Sequence, residues 1–290
     1  MRIAVFGATG TVGQALVPAL AEHHDVVAIS RRAREDSDGV RWVQADAGDA
    51  QSVESALEGI DVAYYLVHSL GSADFEQRDR EAAATVAQAA ARRGLRQILY
   101  LGGLGESSPD LSRHLRSRAE TARVLASGSV PVTTLRAAMV VGAGSAAFET
   151  IVALVDRLPA MICPRWVSTP TQPIAIADIV AYLAAAAGAD EMLGQSFDAG
   201  GPEVMTYRSM IEQVACIRGR HPLIVEVPIL SPRLSSYWLH LVTPVQASVA
   251  RPLIEGLRNP TVAADDRLRR LLPLRLTPFD EAARLALRAG

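Results

Sequence analysis

The chain has 290 residues, of which 49% are hydrophobic and 21% are charged, and its formal net charge is -2 at pH 7. A chain of this length buries one substantial core and has room for a smaller appended region. The nearly balanced charge offers no basic field for nucleic acid, and two cysteines are too few for a disulfide framework or a zinc cluster. The composition therefore indicates a globular protein of a reducing compartment, with no nucleic-acid partner and no metal site.

The sequence also lacks the patterns of exported and membrane-spanning chains. It reaches a glycine turn at Gly7, too soon for the apolar region of a signal peptide. Its most apolar stretches, Ile174 to Ala187 and Ala137 to Phe148, are interrupted by Asp178 or rich in glycine, so neither provides the ~18 uninterrupted apolar residues of a span. We expect a cytoplasmic protein without stable membrane insertion, and a homo-oligomer is compatible with this composition.

Short β-rich runs alternate with longer runs of helical period from residue 2 to about residue 140. The predicted strands are Arg2 to Phe6, Asp25 to Ser30, Arg41 to Ala45, Asp61 to Val67, Gln97 to Gly102 and Val132 to Arg136. The predicted helices are Thr11 to Glu22, Ala50 to Leu57, Asp74 to Arg93 and Leu111 to Ala126. This alternation is typical of βαβ units, and it predicts an α/β fold with a Rossmann-type, doubly wound parallel sheet.

The pattern loosens after residue 144, where prolines at 159, 164, 170 and 173 interrupt it. A further strand and helix are predicted within Gln172 to Ala187, and a short strand is predicted at Leu223 to Val227. We therefore divide the chain into a core over residues 1–144 and a second part over 145–290. In that second part, the final strand and helix of the core (about 171–200) interleave with a smaller, mostly helical substrate or cap region. We expect this region to pack against the carboxyl edge of the sheet, where open α/β sheets bind ligands.

A glycine-rich loop, Gly7 to Gly13, lies between the first predicted strand and the first predicted helix and reads G-x-x-G-x-x-G. Such glycines permit a tight turn, let backbone N–H groups approach a pyrophosphate, and let the helix pack closely on its strand. The loop predicts a dinucleotide site and makes residues 1–144 a NAD(P)-binding core. The alternative is a glycine-containing turn that binds nothing.

The end of the second predicted strand indicates which dinucleotide binds. A site for NAD usually places Asp or Glu there, whereas this strand ends in Ser30-Arg31-Arg32. Guanidinium groups pair with a 2′-phosphate, so the sequence favours NADP(H), with NAD(H) as the other option. Asp46, after the third strand, is placed to accept a hydrogen bond from the adenine amino group. The alternatives are a solvated basic loop for the arginines and a turn-forming role for Asp46.

Beyond the glycine loop, distinctive strings occur along nearly the whole chain. They are Tyr65 to Gly71, Leu115 to Arg118, Val130 to Arg136, Val141 to Glu149, Pro164 to Val167, Pro173 to Ile176 and Ala199 to Val204. Together with the loop, they resemble the atypical short-chain dehydrogenase/reductase family, in its NmrA-like and isoflavone-reductase-like branch.

The resemblance implies a cofactor site along one edge of the sheet. The pyrophosphate would be held by Gly7, Thr9, Gly10, Thr11 and Val12, with Gly13 completing the loop, and the adenosine phosphate would be faced by Arg31 and Arg32. The rest of the cofactor would be lined by Leu66, Val67, His68, Gly102, Gly103 and Leu104, and by the segment that runs from Arg136 through Ala137 to Met139.

The chain departs from the family in its catalytic pair. Short-chain dehydrogenases use Tyr-x-x-x-Lys on the helix after the fifth strand, but residues 107–128 contain neither a tyrosine nor a lysine. His114 and Arg118 occupy that spacing and share a helix face, because four residues make about one turn. We expect Arg118 to anchor ribose or phosphate and His114 to supply the proton. The alternatives are a solvated arginine and a structural histidine.

Other candidate site residues follow the strands. His68 and Ser69 come after the fourth strand and are candidate catalytic residues, although His68 can equally pack beside the neighbouring tyrosines. The candidate walls of an apolar substrate pocket are Leu104, Phe148 and Trp166, with Met161 and Trp238, all of which can equally be ordinary core.

These features favour a NADP(H)-dependent oxidoreductase or isomerase that acts on a small, largely apolar carbonyl or enone-like substrate. The missing Tyr-Lys pair keeps open a non-catalytic NADP(H)-binding redox sensor or regulatory protein of NmrA type. A sugar-nucleotide epimerase or dehydratase is a third alternative, although that chemistry relies on the same tyrosine.

Overall fold

The computed structural model describes residues 1–37, 39–69, 72, 74–105, 111–227 and 256–289. The strands within them are β1 (Arg2–Phe6), β2 (Asp25–Ser30), β3 (Val40–Gln44), β4 (Val62–Tyr65), β5 (Gln97–Gly103), β6 (Val132–Ala137), β7 (Val140–Val141), β8 (Ala160–Pro164), β9 (Pro170–Thr171), β10 (Ile174–Ala175), β11 (Ser196–Ala199), β12 (Met205–Thr206) and β13 (Leu223–Val227). The α-helices are α1 (Thr11–Ala21), α2 (Ala50–Ala56), α3 (Phe75–Arg93), α4 (Arg113–Ala126), α5 (Ala146–Arg157), α6 (Ile176–Ala186), α7 (Tyr207–Ile217), α8 (Arg267–Leu271) and α9 (Phe279–Ala289). Short 3₁₀ helices occur at Arg165–Ser168 and Asp190–Met192.

The main sheet has seven strands in the order β3-β2-β1-β4-β5-β6-β11, and each neighbouring pair is parallel. This arrangement confirms the predicted Rossmann-type α/β fold. The strand order reverses between β1 and β4, so the connections that leave their carboxyl ends run to opposite sides. Such a reversal opens a crevice in which doubly wound sheets bind ligands.

The inner strands of the main sheet are buried on both faces because helices cover the sheet from both sides. In β1, Ile3 and Val5 join a core that includes residues of α1 and α6, whereas Ala4 and Phe6 join a core with α2, α3 and α4. The alternation follows from the two-residue period of a strand. Both cores hold the carboxyl ends of β1, β2, β4 and β5 in fixed positions.

Two glycines of the loop are required by the backbone. Gly7 has φ +84°, and a Cβ there would lie 2.8 Å from the carbonyl carbon of Leu66. A Cβ on Gly13 would lie 2.3 Å from the carbonyl oxygen of Gly7. These positions fold β1 back into α1, whereas Gly10 has the extended backbone of an N-cap residue, φ -79° and ψ 167°, which any residue adopts.

The second half of the chain differs in part from the prediction. The strand predicted near Gln172 is only β10, which pairs with β7 outside the main sheet, and the final strand of the main sheet is β11, after α6. β11 has four residues, one of them Asp198, so no apolar run reveals it. Helix α5 was not predicted either. A third core beneath this half joins α5, α7 and α9 to β8 and β13. No helix in the described ranges is long and apolar enough to cross a membrane.

Candidate functional site

A cleft of about 590 Å³ opens at the carboxyl ends of β1, β2, β3 and β4. Ten residues predicted from the sequence line it: Gly7, Thr9, Gly10, Ser30, Arg31, Asp46, Leu66, Val67, His68 and Ser69. The cleft also has walls that the sequence did not indicate, namely Phe6, Ile29, Ala45, Ala47, Gly48, Ser72, Arg78, Glu81 and Ala82. Its position at the strand-order reversal is that of a nucleotide site.

The glycine loop forms the centre of the cleft. Gly10 is the N-cap of α1 and has no side chain, so no capping side chain pairs with the first N–H groups of the helix. Thr11 does not offer its hydroxyl to the cleft, because Oγ1 donates to the carbonyl oxygen of Gly144 at 2.8 Å. Val12 packs partly into the core and Gly13 is buried. None of these three predicted residues lines the cleft, so their contact with a pyrophosphate stays a prediction.

The end of the cleft that is predicted to hold adenosine contains Ser30, Arg31 and Asp46. Arg31 lines the cleft, whereas Arg32 is exposed and is not part of its wall. The N–H of Arg32 donates to Ser30 Oγ at 3.3 Å, so the Ser30 hydroxyl shapes this turn. Asp46 Oδ1 accepts from the N–H of Gly48 at 2.9 Å, which is the turn-forming role, although its side chain also borders the cleft.

Helix α3 adds two charged residues, Arg78 and Glu81, to the opposite wall of the cleft. Nε of Arg78 donates to Asp74 at 2.8 Å, an i,i+4 pair that holds the guanidinium at the rim. Neither residue was predicted, because both belong to a charged helix face that resembles an ordinary solvated one. The Asp74–Arg78 spacing was the available signal, but only the fold shows that this turn of α3 faces the glycine loop.

His68 and His114 meet at one end of the cleft, together with a buried carboxylate. Nδ1 of His68 lies 2.7 Å from Oδ2 of Asp79, and Nε2 of His68 lies 3.2 Å from Nδ1 of His114. The other oxygen of Asp79, Oδ1, accepts the N–H of Ser69 at 2.9 Å. The loop after β4 supplies His68, α3 supplies Asp79, and the first turn of α4, capped by Ser112, supplies His114. The two predicted histidines are therefore hydrogen-bonded to each other.

Burial decides the charge of this pair. It lowers the pKa of His68, an effect that the hydrogen bond to Asp79 partly offsets and that the Arg118 guanidinium reinforces. It lowers the pKa of His114 well below the ordinary value, and the proximity of His68 and Arg118 lowers it further. Both imidazoles are thus neutral at pH 7, and each has one protonated and one bare nitrogen.

The same pKa values predict how stability depends on pH. Because each histidine binds a proton less readily in the folded chain, protonation below about pH 6.5 favours unfolding. We expect the free energy of unfolding to fall between about pH 7 and pH 5, and to fall less in His114→Gln. Urea unfolding at pH 8 and pH 5 measures both. The exposed His221, replaced by Gln, is the control and should leave the decrease unchanged; an undiminished decrease in His114→Gln would contradict the assignment.

Arg118 is held against β5 rather than free in solvent. Its guanidinium donates to the carbonyl oxygen of Leu101 and lies over the Tyr100 ring, 5.5 Å from the centroid. The last residue pair between β4 and β5 is Tyr65–Tyr100, and Leu101 follows it without a partner on β4. The guanidinium of Arg118 therefore supplies the hydrogen-bond donor that a neighbouring strand would otherwise provide. Gly103 lies beside it, since a Cβ there would be at ordinary contact distance, 3.6 Å, from Arg118 Cδ. The solvated-face alternative does not describe this residue.

The predicted nicotinamide residues of β5 and β6 lie at the same edge of the sheet. Gly102 and Gly103 end β5, beside Arg136 and Ala137 of β6. Arg136 pairs through Nη2 with the buried Asp198 at 2.6 Å, which fastens β6 to β11. Met139 is buried in the third core. Their contact with a nicotinamide stays a prediction.

The predicted substrate residues are mostly core residues in this fold. Leu104 and Phe148 are buried, and Phe148 and Met161 pack in the third core. Trp166 packs edge-on against Tyr207, with ring centroids 6.4 Å apart. Trp238 lies outside the described residues. The ordinary-core alternative fits Phe148 and Met161 better than a pocket wall does.

The N-terminal half of this chain is similar to a known family. Residues 7–150 match a family described as NAD(P)H-binding. The chain is 25% identical over 239 residues to the NADH dehydrogenase [ubiquinone] 1 alpha subcomplex subunit 9 of Arabidopsis thaliana, which covers 77% of this chain and 60% of that protein. It is 26% identical over 222 residues to the (4-alkanoyl-5-oxo-2,5-dihydrofuran-3-yl)methyl phosphate reductase of Streptomyces griseus, which covers 75% of this chain and 74% of that one.

A solved structure extends the comparison to the whole fold. The triphenylmethane reductase of Citrobacter sp., complexed with NADP(H), superposes with a TM-score of 0.78 over 99% of this chain and 100% of that chain, at 18% identity. That likeness concerns the fold. Residues 7–150 thus match a NAD(P)H-binding domain, and the protein has a Rossmann-like α/β fold.

Proposed function

We propose that this protein is a cytoplasmic NADP(H)-dependent oxidoreductase of the NmrA-like branch of the atypical short-chain dehydrogenases, acting on a small, largely apolar carbonyl or enone-like substrate. The observation that carries the proposal is the hydrogen-bonded His68–His114 pair beside the dinucleotide cleft. An imidazole is suited to proton transfer near neutral pH, and hydride chemistry at a carbonyl needs one proton. Isomerisation of the same kind of substrate through reversible hydride transfer fits the same site.

The usual dyad has no substitute elsewhere in the described residues. The sequence contains no lysine, because all 29 basic residues are arginine. The five described tyrosines, at positions 64, 65, 100, 182 and 207, are all buried, and burial raises the pKa of Tyr65. None of these five tyrosines lines the cleft. His114 occupies the tyrosine position of the family helix and is the group we assign to proton transfer.

The relatives support a reductase. The Streptomyces protein is named a reductase of an unsaturated oxo-dihydrofuran, and the Citrobacter protein is a reductase complexed with NADP(H). An enone-like acceptor is common to the first of these and to our proposal. The Arabidopsis relative, of which this chain spans 60%, is named as a subunit of a larger complex and supports cofactor binding more than a particular substrate.

The test is turnover by the purified protein. We expect NADPH to be oxidised with at least one of acetophenone, 2-cyclohexenone and 1,4-naphthoquinone, and His114→Gln to lower that rate roughly 100-fold while NADPH still binds. His221→Gln is the matched control and should keep the full rate, because its side chain is exposed on the surface. Equal rates in His114→Gln and the unmodified protein would remove His114 from the reaction.

The second candidate is a non-catalytic NADP(H) sensor, and the lack of any lysine favours it. A sensor binds NADPH and consumes it with none of these acceptors. It also changes its affinity for a partner protein between NADP+ and NADPH. Tight NADPH binding without turnover, together with His114→Gln unchanged in every measurement, would therefore favour the sensor.

A further inference from the structure

Asp79, which was not among the predicted site residues, determines which atoms donate and which accept in the hydrogen bonds around His68. Asp79 lies one turn into α3 and its side chain is only 2% exposed, whereas Arg78 and Arg80 beside it are solvated. Both of its oxygens are used, one by His68 and one by the N–H of Ser69. A buried carboxylate is tolerated only with such partners, and an ionised one can only accept.

This arrangement fixes both tautomers in turn. Since the carboxylate accepts, Nδ1 of His68 carries the proton, and the neutral ring has a bare Nε2. That bare nitrogen lies 3.2 Å from Nδ1 of His114, which must therefore donate. Nε2 of His114 is left with its lone pair. Nε2 of His114 has no hydrogen-bond partner among the described residues, and the His114 side chain is partly exposed to solvent.

We propose that Asp79 is a positioning residue which, through His68, holds His114 with Nε2 as a proton acceptor, so that the resting site is set to oxidise a hydroxyl substrate. This inference rests on the proposed oxidoreductase function and adds the direction and the substrate class, a small apolar alcohol. In the proposed reaction, the O–H proton passes to Nε2 of His114 as the C=O bond forms, and bound NADP+ would accept the C–H hydrogen as hydride. Reduction runs in reverse and requires His114 to be protonated first.

The surrounding charges determine the pH behaviour. His68 faces His114 from the loop after β4, Asp79 faces His68 from α3, and Arg118 lies one turn along α4. From β5, Tyr100 donates its hydroxyl to the backbone of Arg118. Arg118 opposes protonation of both histidines, and Asp79 favours protonation of His68, to which His114 is hydrogen-bonded. Loss of the Asp79 charge should therefore make His114 harder to protonate and a weaker base.

Kinetics of Asp79→Asn test the positioning role. With 1-phenylethanol and NADP+, we expect kcat/KM to fall roughly 100-fold or more, while NADPH affinity stays within about twofold. We also expect the acid limb of the pH profile of kcat/KM to move to lower pH. Glu120→Gln removes a carboxylate that pairs with Arg80 on the surface and should leave rate and profile unchanged. A purely structural Asp79 would alter protein yield or stability but not the pH limb. An unshifted limb with an unchanged rate overturns the proposal.

The tautomers test the inference without turnover and without a variant at Asp79. In protein with ¹⁵N-labelled histidine at pH 7.5, long-range ¹H–¹⁵N correlations should show both His68 and His114 protonated on Nδ1 and bare on Nε2, assigned with His68→Gln and His114→Gln. A proton on Nε2 of His114 overturns the inference even if carbonyls are reduced. The expected tautomers without turnover of any alcohol or carbonyl overturn the oxidoreductase function and, with it, the assigned direction.

Discussion

Replacing Gly10 with valine should lower NADPH affinity more than 100-fold and leave the fold intact. A Cβ at Gly10 meets only the carbonyl oxygen of Gly7, at 3.3 Å, and the extended φ of this residue suits any side chain. The branched side chain would therefore be accommodated by the protein but would project into the cleft, where the pyrophosphate must approach the start of α1. We expect a stability loss of about 1 kcal/mol, since valine is a poorer N-cap residue than glycine.

Gly13→Ala is the informative contrast to this variant. Its Cβ would lie 2.3 Å from the Gly7 carbonyl oxygen and 2.8 Å from the Ala8 Cα, so the loop and α1 must separate. This change should destabilise the protein strongly, whereas Gly10→Val should not. Fluorescence titration with NADPH and urea unfolding of both variants distinguish the two effects. Unchanged NADPH affinity in a folded Gly10→Val protein would refute the pyrophosphate assignment.

Replacing Arg31 with alanine should remove the preference for NADPH over NADH. Arg31 is the guanidinium at the end of β2 that lines the cleft, and no acidic residue occupies that strand end. A charged hydrogen bond contributes about 1.5 to 3 kcal/mol, so NADPH affinity should fall roughly 10- to 150-fold. NADH affinity should not change, because NADH lacks the 2′-phosphate that the arginine recognises.

Arg32→Ala is the matched control, since Arg32 is adjacent in sequence but does not line the cleft. It removes the same charge from the same turn, so its effect should be smaller and shared by both cofactors. Titrations of both variants with NADPH and NADH at one ionic strength give the comparison. If Arg32→Ala lowers NADPH affinity as much as Arg31→Ala, then diffuse charge, and not a specific contact, explains the preference.

The fold of the first half could be read from the sequence with small errors. The bounds of β1 and β2 agree with the prediction, and α3 begins one residue later than predicted. These elements are long and periodic, and helices such as α3 end at a glycine in the left-handed conformation, Gly94 with φ +68°. The two-residue strands and β11 carry no such period. Their positions depend on neighbours that are distant in sequence.

The candidate site, like the fold, could be predicted from the sequence only in part. The glycine loop, Arg31 and His68 were identified because each directly follows a predicted strand, where a parallel sheet places its ligands. Asp79 was missed because its neighbours on α3 make it one charge among several in a solvated pattern. His68 and His114 were both predicted, but their contact was not, since 46 residues separate them.

By itself, the sequence determined the α/β class, the strand ends that line the candidate cleft, and the absence of a lysine for the usual dyad. These are local properties, set by periodicity, by glycine geometry and by residue type. Only the tertiary structure decided which charges are buried and which nitrogen of each histidine is bare. Adjacent β4 and β5 bring α3 and α4 together, so Asp79, His68 and His114 form one chain of hydrogen bonds in a place from which water is largely excluded.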